Sequence, residues 1–267
     1  MKFLLLFAMF GLVACGDDDG DTTISIDGYR LGAAQFSPAG DQLAIVGEKD
    51  DVYALLITDD QGKGAQVLDE SLSYLSTIQW MPDGQSVIYT AGSGFDDSGI
   101  YKVDVNGGAA PVFLVDAFAA VNIGLSPDGK TVAYSINGGA DISTADLSTY
   151  ASMPVPAVST GISGRAPQYS PDGSQVLFIV AETYQTAAAD FTNAQDGPAG
   201  AGYLSNGVWM DNESFMYLGD DAINVWKAGK ASSVREAFAG MNLAYNAATS
   251  RYIYGINGSP DLTIGTY

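Results

Sequence analysis

A short pattern recurs along this chain at a nearly fixed interval. It consists of an aromatic residue or Leu, a turn built on Pro and Gly, and then residues that alternate apolar with polar. The clearest copies are Leu125-Ser126-Pro127-Asp128-Gly129-Lys130-Thr131-Val132-Ala133-Tyr134 and Tyr169-Ser170-Pro171-Asp172-Gly173-Ser174-Gln175-Val176-Leu177-Phe178. Trp80-Met81-Pro82-Asp83-Gly84 and Phe36-Ser37-Pro38-Ala39-Gly40 open two more. Pro presets the backbone for the second position of a tight turn, Asp suits the third, and Gly accepts the left-handed conformation that rejoins a strand. Apolar residues on alternate positions after the Gly mark a strand with one buried face.

The interval carries more than the motif. The lead residues Phe36, Trp80, Leu125 and Tyr169 are spaced by 44, 45 and 44 residues. Two degraded copies follow at steps of 40 and 36. One begins at Trp209-Met210-Asp211-Asn212, without Pro or Gly, and the other at Tyr245-Asn246-Ala247-Ala248-Thr249. A period of roughly 40–45 residues holding several short strands is that of a β-propeller blade. Six copies predict an all-β, six-bladed β-propeller.

Reading strands in order fills the blades unevenly. Blade one begins at Ala33–Phe36, blade three ends with Ile142–Leu147 and Val155–Ser159, and blade five ends with Val234–Phe238. The outer half of blade four, from Ala181 to Asn206, is rich in Ala and Gly and yields no clear strand. Blade six has three strands, the last at Leu262–Tyr267. A spare strand at Thr23–Asp27 precedes the first repeat. It is expected to pair with the last blade and close the ring, because closure removes exposed sheet edges.

The Ser-Pro-Asp-Gly turns after Leu125 and Tyr169, the strand Thr131–Ser135, and Ile100-Tyr101-Lys102-Val103-Asp104 running to Gly107-Gly108 together resemble the TolB-like propeller repeat. The resemblance covers most of residues 23–267. It implies the propeller fold and is poor in functional detail. The same repeat occurs in propellers attached to prolyl oligopeptidase-like hydrolases, but this chain has no His. A Ser or Cys triad and most zinc sites are therefore unavailable to it.

The first residues read as a targeting segment rather than part of the fold. Lys2 is followed by an 11-residue apolar run from Phe3 to Val13, too short for a membrane span of roughly 20 residues. Leu12-Val13-Ala14-Cys15 resembles a bacterial lipobox, and Cys15 is the chain's single Cys. The resemblance implies a lipoprotein signal peptide over residues 1–14 and lipidation of Cys15. Gly16 after the Cys implies sorting to the outer membrane. Residues 15–22, with Asp17-Asp18-Asp19-Gly20-Asp21, then form an acidic spacer. Read as a calcium loop, this stretch lacks the closing Glu. Residues 23–267 are the propeller.

With 11 Lys and Arg against 31 Asp and Glu, the net charge is −20. Nucleic acid is excluded as a partner, since it requires a basic footprint. Asp83, Asp128 and Asp172 recur at the repeat period, so each is read as the residue that ties its own turn rather than as one of a ring of metal ligands. The acidic pairs Asp50-Asp51, Asp59-Asp60, Asp96-Asp97 and Asp220-Asp221 are the material for carboxylate catalysis or, at Phe95-Asp96-Asp97-Ser98, for cation binding. As loop residues they are read as solvated. Trp80 and Trp209 occupy the lead position of the repeat and are read as inter-blade core. Trp226 is the better surface candidate for stacking on a sugar.

No catalytic or cofactor-binding set stands out, and a metal site is left open. The expectation is a lipid-anchored cell-envelope propeller that binds an envelope protein or glycan without catalysis and is held to the membrane through Cys15. The alternative is a carboxylate-based enzyme acting on carbohydrate or lactone, with calcium as its possible cation.

Overall fold

Each Pro-Gly turn joins the first and second strands of a four-stranded antiparallel sheet in the computed structural model. The structure describes residues 21–267 apart from 93–96, 119, 137–140, 152, 203–205, 220 and 237–239. In chain order, β1 is Thr22–Ile24. The first blade is β2 (Arg30–Phe36), β3 (Gln42–Lys49), β4 (Val52–Asp59) and β5 (Gln66–Leu72). The second is β6 (Tyr74–Trp80), β7 (Ser86–Gly92), β8 (Gly99–Asp104) and β9 (Val112–Asp116). The third is β10 (Ala120–Leu125), β11 (Thr131–Ile136), β12 (Ile142–Asp146) and β13 (Val158–Ser159). The fourth is β14 (Arg165–Tyr169), β15 (Gln175–Val180), β16 (Thr183–Ala188) and β17 (Gln195–Ala199). The fifth is β18 (Gly207–Trp209), β19 (Ser214–Leu218), β20 (Ala222–Lys227) and β21 (Lys230–Glu236). The last holds β22 (Gly240–Asn246), β23 (Arg251–Ile256) and β24 (Leu262–Thr266), with β1 as its fourth and outermost strand. The protein is a six-bladed β-propeller.

The turns hold together by the chemistry their residues suggest. Asp128 accepts from the Ser126 hydroxyl (2.7 Å) and the Lys130 N–H (3.1 Å), while Ser126 Oγ accepts from the Thr131 N–H at 2.9 Å. Asp172 repeats the arrangement with Ser170 at 2.7 Å and the Ser174 N–H at 2.9 Å. In the first blade Ala39 replaces the Asp, and Asp41 takes the Ser37 hydroxyl instead at 2.8 Å. Both degraded copies keep a side-chain acceptor at a shifted position. Asp211 accepts the Glu213 N–H at 2.8 Å, and Asn246 Oδ1 accepts the Thr249 N–H at 3.0 Å.

Neighbouring turns also nest on one another. A β carbon on Gly129 would lie 3.1 Å from Pro82 of the preceding blade. Asn212 accepts the Asp172 N–H across the seam between blades four and five at 3.1 Å. Asn246 donates to the Ser37 carbonyl of the first blade at 2.9 Å, joining the two ends of the ring.

The core is divided among the seams. Each hydrophobic cluster joins residues of two adjacent blades, and one of them packs Ile24, Ala244, Ile253 and Ile264 of the last blade against Leu43, Ile45 and Leu56 of the first. Burial of apolar faces between sheets is therefore the term that holds the ring. β1 pairs with β24 through Thr22–Ile264, Thr23–Thr263 and Ile24–Leu262, a strand shorter than Thr23–Asp27 but in the expected place.

Three expectations shift for identifiable reasons. The outer strand of blade three shrinks to Val158–Ser159, because Val155 is buried in the seam with its N–H donated to the Leu114 carbonyl at 2.7 Å. Leu147 leaves β12 for a short 3-10 turn capped by Asp146. The outer strand of blade five starts at Lys230, earlier than Val234, on a polar edge that carries no apolar signal.

Candidate functional site

Antiparallel order sorts the connections onto two faces. The turns between first and second strands and between third and fourth strands share one face, called here the turn face. On it, between blades two and three, lies a groove of about 510 Å³. Its blade-two wall is Met81 and Asp83 of the repeat turn, Lys102 and Asp104 of β8, and Val112 and Leu114 of β9. Its blade-three wall is Gly129 and Lys130 of the repeat turn with Leu147, Ser148 and Tyr150.

The local fold explains this wall. Asp146 accepts the Ser148 N–H at 3.0 Å and so turns Leu147 and Tyr150 toward the seam, where both pack half-buried on the inter-blade cluster beside Met81 and the buried Leu114. The groove thus has an aliphatic and aromatic floor and a charged rim. On the rim, Lys130 lies 3.5 Å from Asp128. Asp83 holds the Gln85 N–H at 2.9 Å and Asp104 the Asn106 N–H at 2.7 Å. Each of these two carboxylates keeps a second oxygen and the charge to offer outward. Such a surface recognises a ligand with an apolar part and polar or charged flanks.

The repeat aspartates act on their own turns, as the hydrogen bonds above show. Those bonds hold the carboxyls of Asp128 and Asp172 below the usual range, through the Ser126 hydroxyl first in one case and the Ser174 N–H first in the other. Asp50 and Asp51 are the two central residues of the tight β3–β4 hairpin, both with positive φ (53° and 63°). Asp59 accepts the Gln61 and Lys63 N–H groups, and Asp60 pairs with Arg251 of the last blade at 2.7 Å. These two pairs occupy opposite ends of β4 and so do not converge on one substrate. Among the described residues, no three His, Cys, Asp or Glu side chains gather as a metal site. Cys15, the acidic run 17–20, Asp96 and Asp220 lie outside the described residues.

Trp80 and Trp209 fill the seams, each donating its indole N–H at 3.0 Å to a carbonyl of the preceding blade, Gln35 and Gln168 respectively. Trp226 is a correction: it packs half-buried on the cluster of Tyr184 and Phe215 rather than standing out as a stacking surface. Sequence reading passed over Lys102, Lys130, Leu147 and Tyr150. Lys102 and Lys130 stand in repeat stretches that were read for fold alone, Leu147 and Tyr150 lie beyond β12, and no single stretch brings the four together.

Among solved structures, a putative TolB from Agrobacterium tumefaciens superposes with a TM-score of 0.63 at 15% identity, over 89% of this chain and 90% of that one. An auxiliary nutrient binding protein from Bacteroides thetaiotaomicron gives 0.68 at 13% identity, over 91% and 71%. A chain of a nidogen/laminin complex gives 0.64 at 11%, over 80% and 82%. At these identities the likeness is one of fold. No curated protein matches the sequence. No helix among the described residues is long and apolar enough to cross a membrane. The model of the TolB beta propeller domain matches residues 20–197, well over half the chain, and the chain therefore belongs to that family.

Proposed function

We propose that this protein is a non-catalytic binding module of the bacterial cell envelope, anchored by lipid at Cys15, whose turn-face groove holds an extended segment of a protein partner. The groove between blades two and three is the observation that carries this reading. Its floor of Met81, Leu114, Leu147 and Tyr150 suits an apolar side chain, and its rim carries charges of both signs. A protein segment is favoured over a glycan because Trp80 and Trp209 are tied into the seams by their indole N–H groups, Trp226 packs half-buried on another cluster, and Tyr150 is the one aromatic ring among the described residues of the groove. The net charge of −20 steers cationic partners toward the molecule. Propellers of the same fold, including a nutrient binding protein and a chain of a nidogen/laminin complex, lend coarse support to a binding role. Residues 1–14 serve as the lipoprotein signal and 15–22 as the spacer, with the outer membrane as destination.

A photoreactive residue placed at Ser148, on the groove lip, is expected to trap a discrete partner in the native envelope. The adduct should weaken about tenfold with Leu147→Ala or Tyr150→Ala, a loss of roughly 1.4 kcal/mol. An equal adduct from Asn257, on the opposite face, or an adduct indifferent to both substitutions, would overturn the groove as the site. The anchor has its own test. Cys15→Ser is expected to move the protein from the membrane to the soluble fraction, and an unchanged membrane fraction would sink lipidation.

A further inference from the structure

From a cation that its own surroundings leave unpaired, we infer that the groove takes the C-terminal end of the partner segment, with the chain-end carboxylate on Lys102 and the last side chain on the apolar floor beside it. This rests on the groove as the binding site and deepens that reading by naming the part of the partner that enters. Lys102 alternates with Ile100 along β8, so both project from the face of blade two that meets blade three. Across the sheet it pairs with Ile88 on one side and Val112 on the other. Ile88 and Ile100 are fully buried, and Val112 and Leu114 line the groove. The half-buried Lys102 thus rises from apolar ground. Among the described residues it joins no ion pair. Lys130, the other cation of the groove, is taken by Asp128 at 3.5 Å. An ammonium among apolar neighbours attracts an anion more strongly than one in open water, because the effective dielectric is lower.

The shape of the groove then selects a chain end. Toward the axis it is shut by the repeat turns, where a β carbon on Gly129 would lie 3.1 Å from both Met81 and Pro82. Beneath, the seam is filled by Ile88, Ile100 and Val132. On the rim side Val155 crosses at the level of Leu114 and donates its N–H to the Leu114 carbonyl at 2.7 Å. A chain that comes in from the turn face ends in the groove rather than threading it. Its α-carboxylate is then at hand for Lys102, and an apolar last side chain meets Met81, Leu114, Leu147 and Tyr150. Asp83 and Asp104, also on the groove wall, suit a Lys or Arg a few residues upstream. The occupant is therefore a basic tail with an apolar last residue. A tail of that kind is also drawn in by the net charge of −20.

The test uses the full chain in detergent and dye-labelled hexapeptides that carry Lys third from the end and Leu, Val or Phe at the end. Each peptide is made with a free C-terminal carboxylate and as the C-terminal amide. A further set has Glu as the last residue but one and an amide end. Fluorescence anisotropy is expected to show the acids binding about tenfold more tightly than the amides. Lys102→Met should bring that ratio near one, and Lys102→Arg should keep it. Leu147→Ala should weaken acids and amides together. Equal binding of acids and amides to the native chain, or a ratio indifferent to Lys102→Met, overturns the carboxylate on Lys102. Glu peptides that bind as tightly as the acids overturn the chain end. In either case the groove still stands if the photoadduct from Ser148 forms. If no peptide binds, the inference fails, and if the photoadduct is missing too, the groove falls with it.

Discussion

Gly124 sits where the inner strand of blade three passes against Pro167 on the inner strand of blade four. A β carbon there would lie 2.1 Å from the Pro167 carbonyl oxygen, and backbone has little room to yield. Gly124→Ala is expected to lower stability in urea by at least about 1–3 kcal/mol. Trp80→Phe should cost about 1–3 kcal/mol for leaving the Gln35 carbonyl without its indole donor. Two tyrosines give a pH signature. Burial, aided by Asp116, pushes the Tyr134 hydroxyl up to about 12, and burial aided by Asp128 does the same for Tyr169. The folded state prefers the neutral phenols, whose pKa lies above the ordinary value near 10. Their contribution is fully present below about pH 10 and is lost as pH rises through about 12. Tyrosinate absorbance should show a class of rings that ionise together with alkaline unfolding. Reversible ionisation of every ring near pH 10 in folded protein would count against this. Trp80 and Trp209 were legible as core from their place in the repeat. Gly124 was not, because a contact with another blade leaves no trace in its own strand.

At the scale of elements, legibility follows turn chemistry. Strands after a Pro-Gly turn begin where the turn predicts, as at Thr131, although Thr131–Ser135 runs on to Ile136. The outer half of blade four was not legible. β16 and β17 bury Tyr184 and Ala187 but otherwise consist of small or polar residues, and β17 contains Gly197 and Pro198. An edge strand needs apolar residues on one face at most, so its alternation fades. The inner strands carry bulges between Val121 and Gly124 and between Met241 and Ala244, with Asn122 and Asn242 in the left-handed region. Such a break in register hides the period of two. β1 was found as the spare strand before the first repeat, and its Ile24 is fully buried between the last and first blades. Ile24→Ala is expected to cost about 2–5 kcal/mol, measured by chemical denaturation. A loss near zero would mean that β1 contributes nothing to the join.

For the whole molecule, the repeat period was enough to count blades, since each seam needs a partner and only a closed ring gives every blade two. The groove was invisible because it belongs to a seam and not to a blade. Lys102 lies on a third strand and Tyr150 after a third strand of the next copy. Net charge acts at the same scale. Self-repulsion at −20 opposes compactness. Raising salt from about 0.01 M to about 1 M shortens the screening length from about 30 Å to about 3 Å, and the thermal midpoint should rise accordingly. A midpoint that falls or stays fixed would show that the charge is already compensated.

The β1–β24 pairing also has a mechanical side. Tension applied through the N-terminal segment enters at Asp21 and runs along the axis of β1. The pairs at Thr22, Thr23 and Ile24 are then loaded together, in shear, rather than peeled apart one after another. The Asp21–Arg235 ion pair lies ahead of them in the path of the load and shares it with blade five. A pull on that segment is in this way met by the strand that completes the last sheet, in the direction in which such a strand resists best.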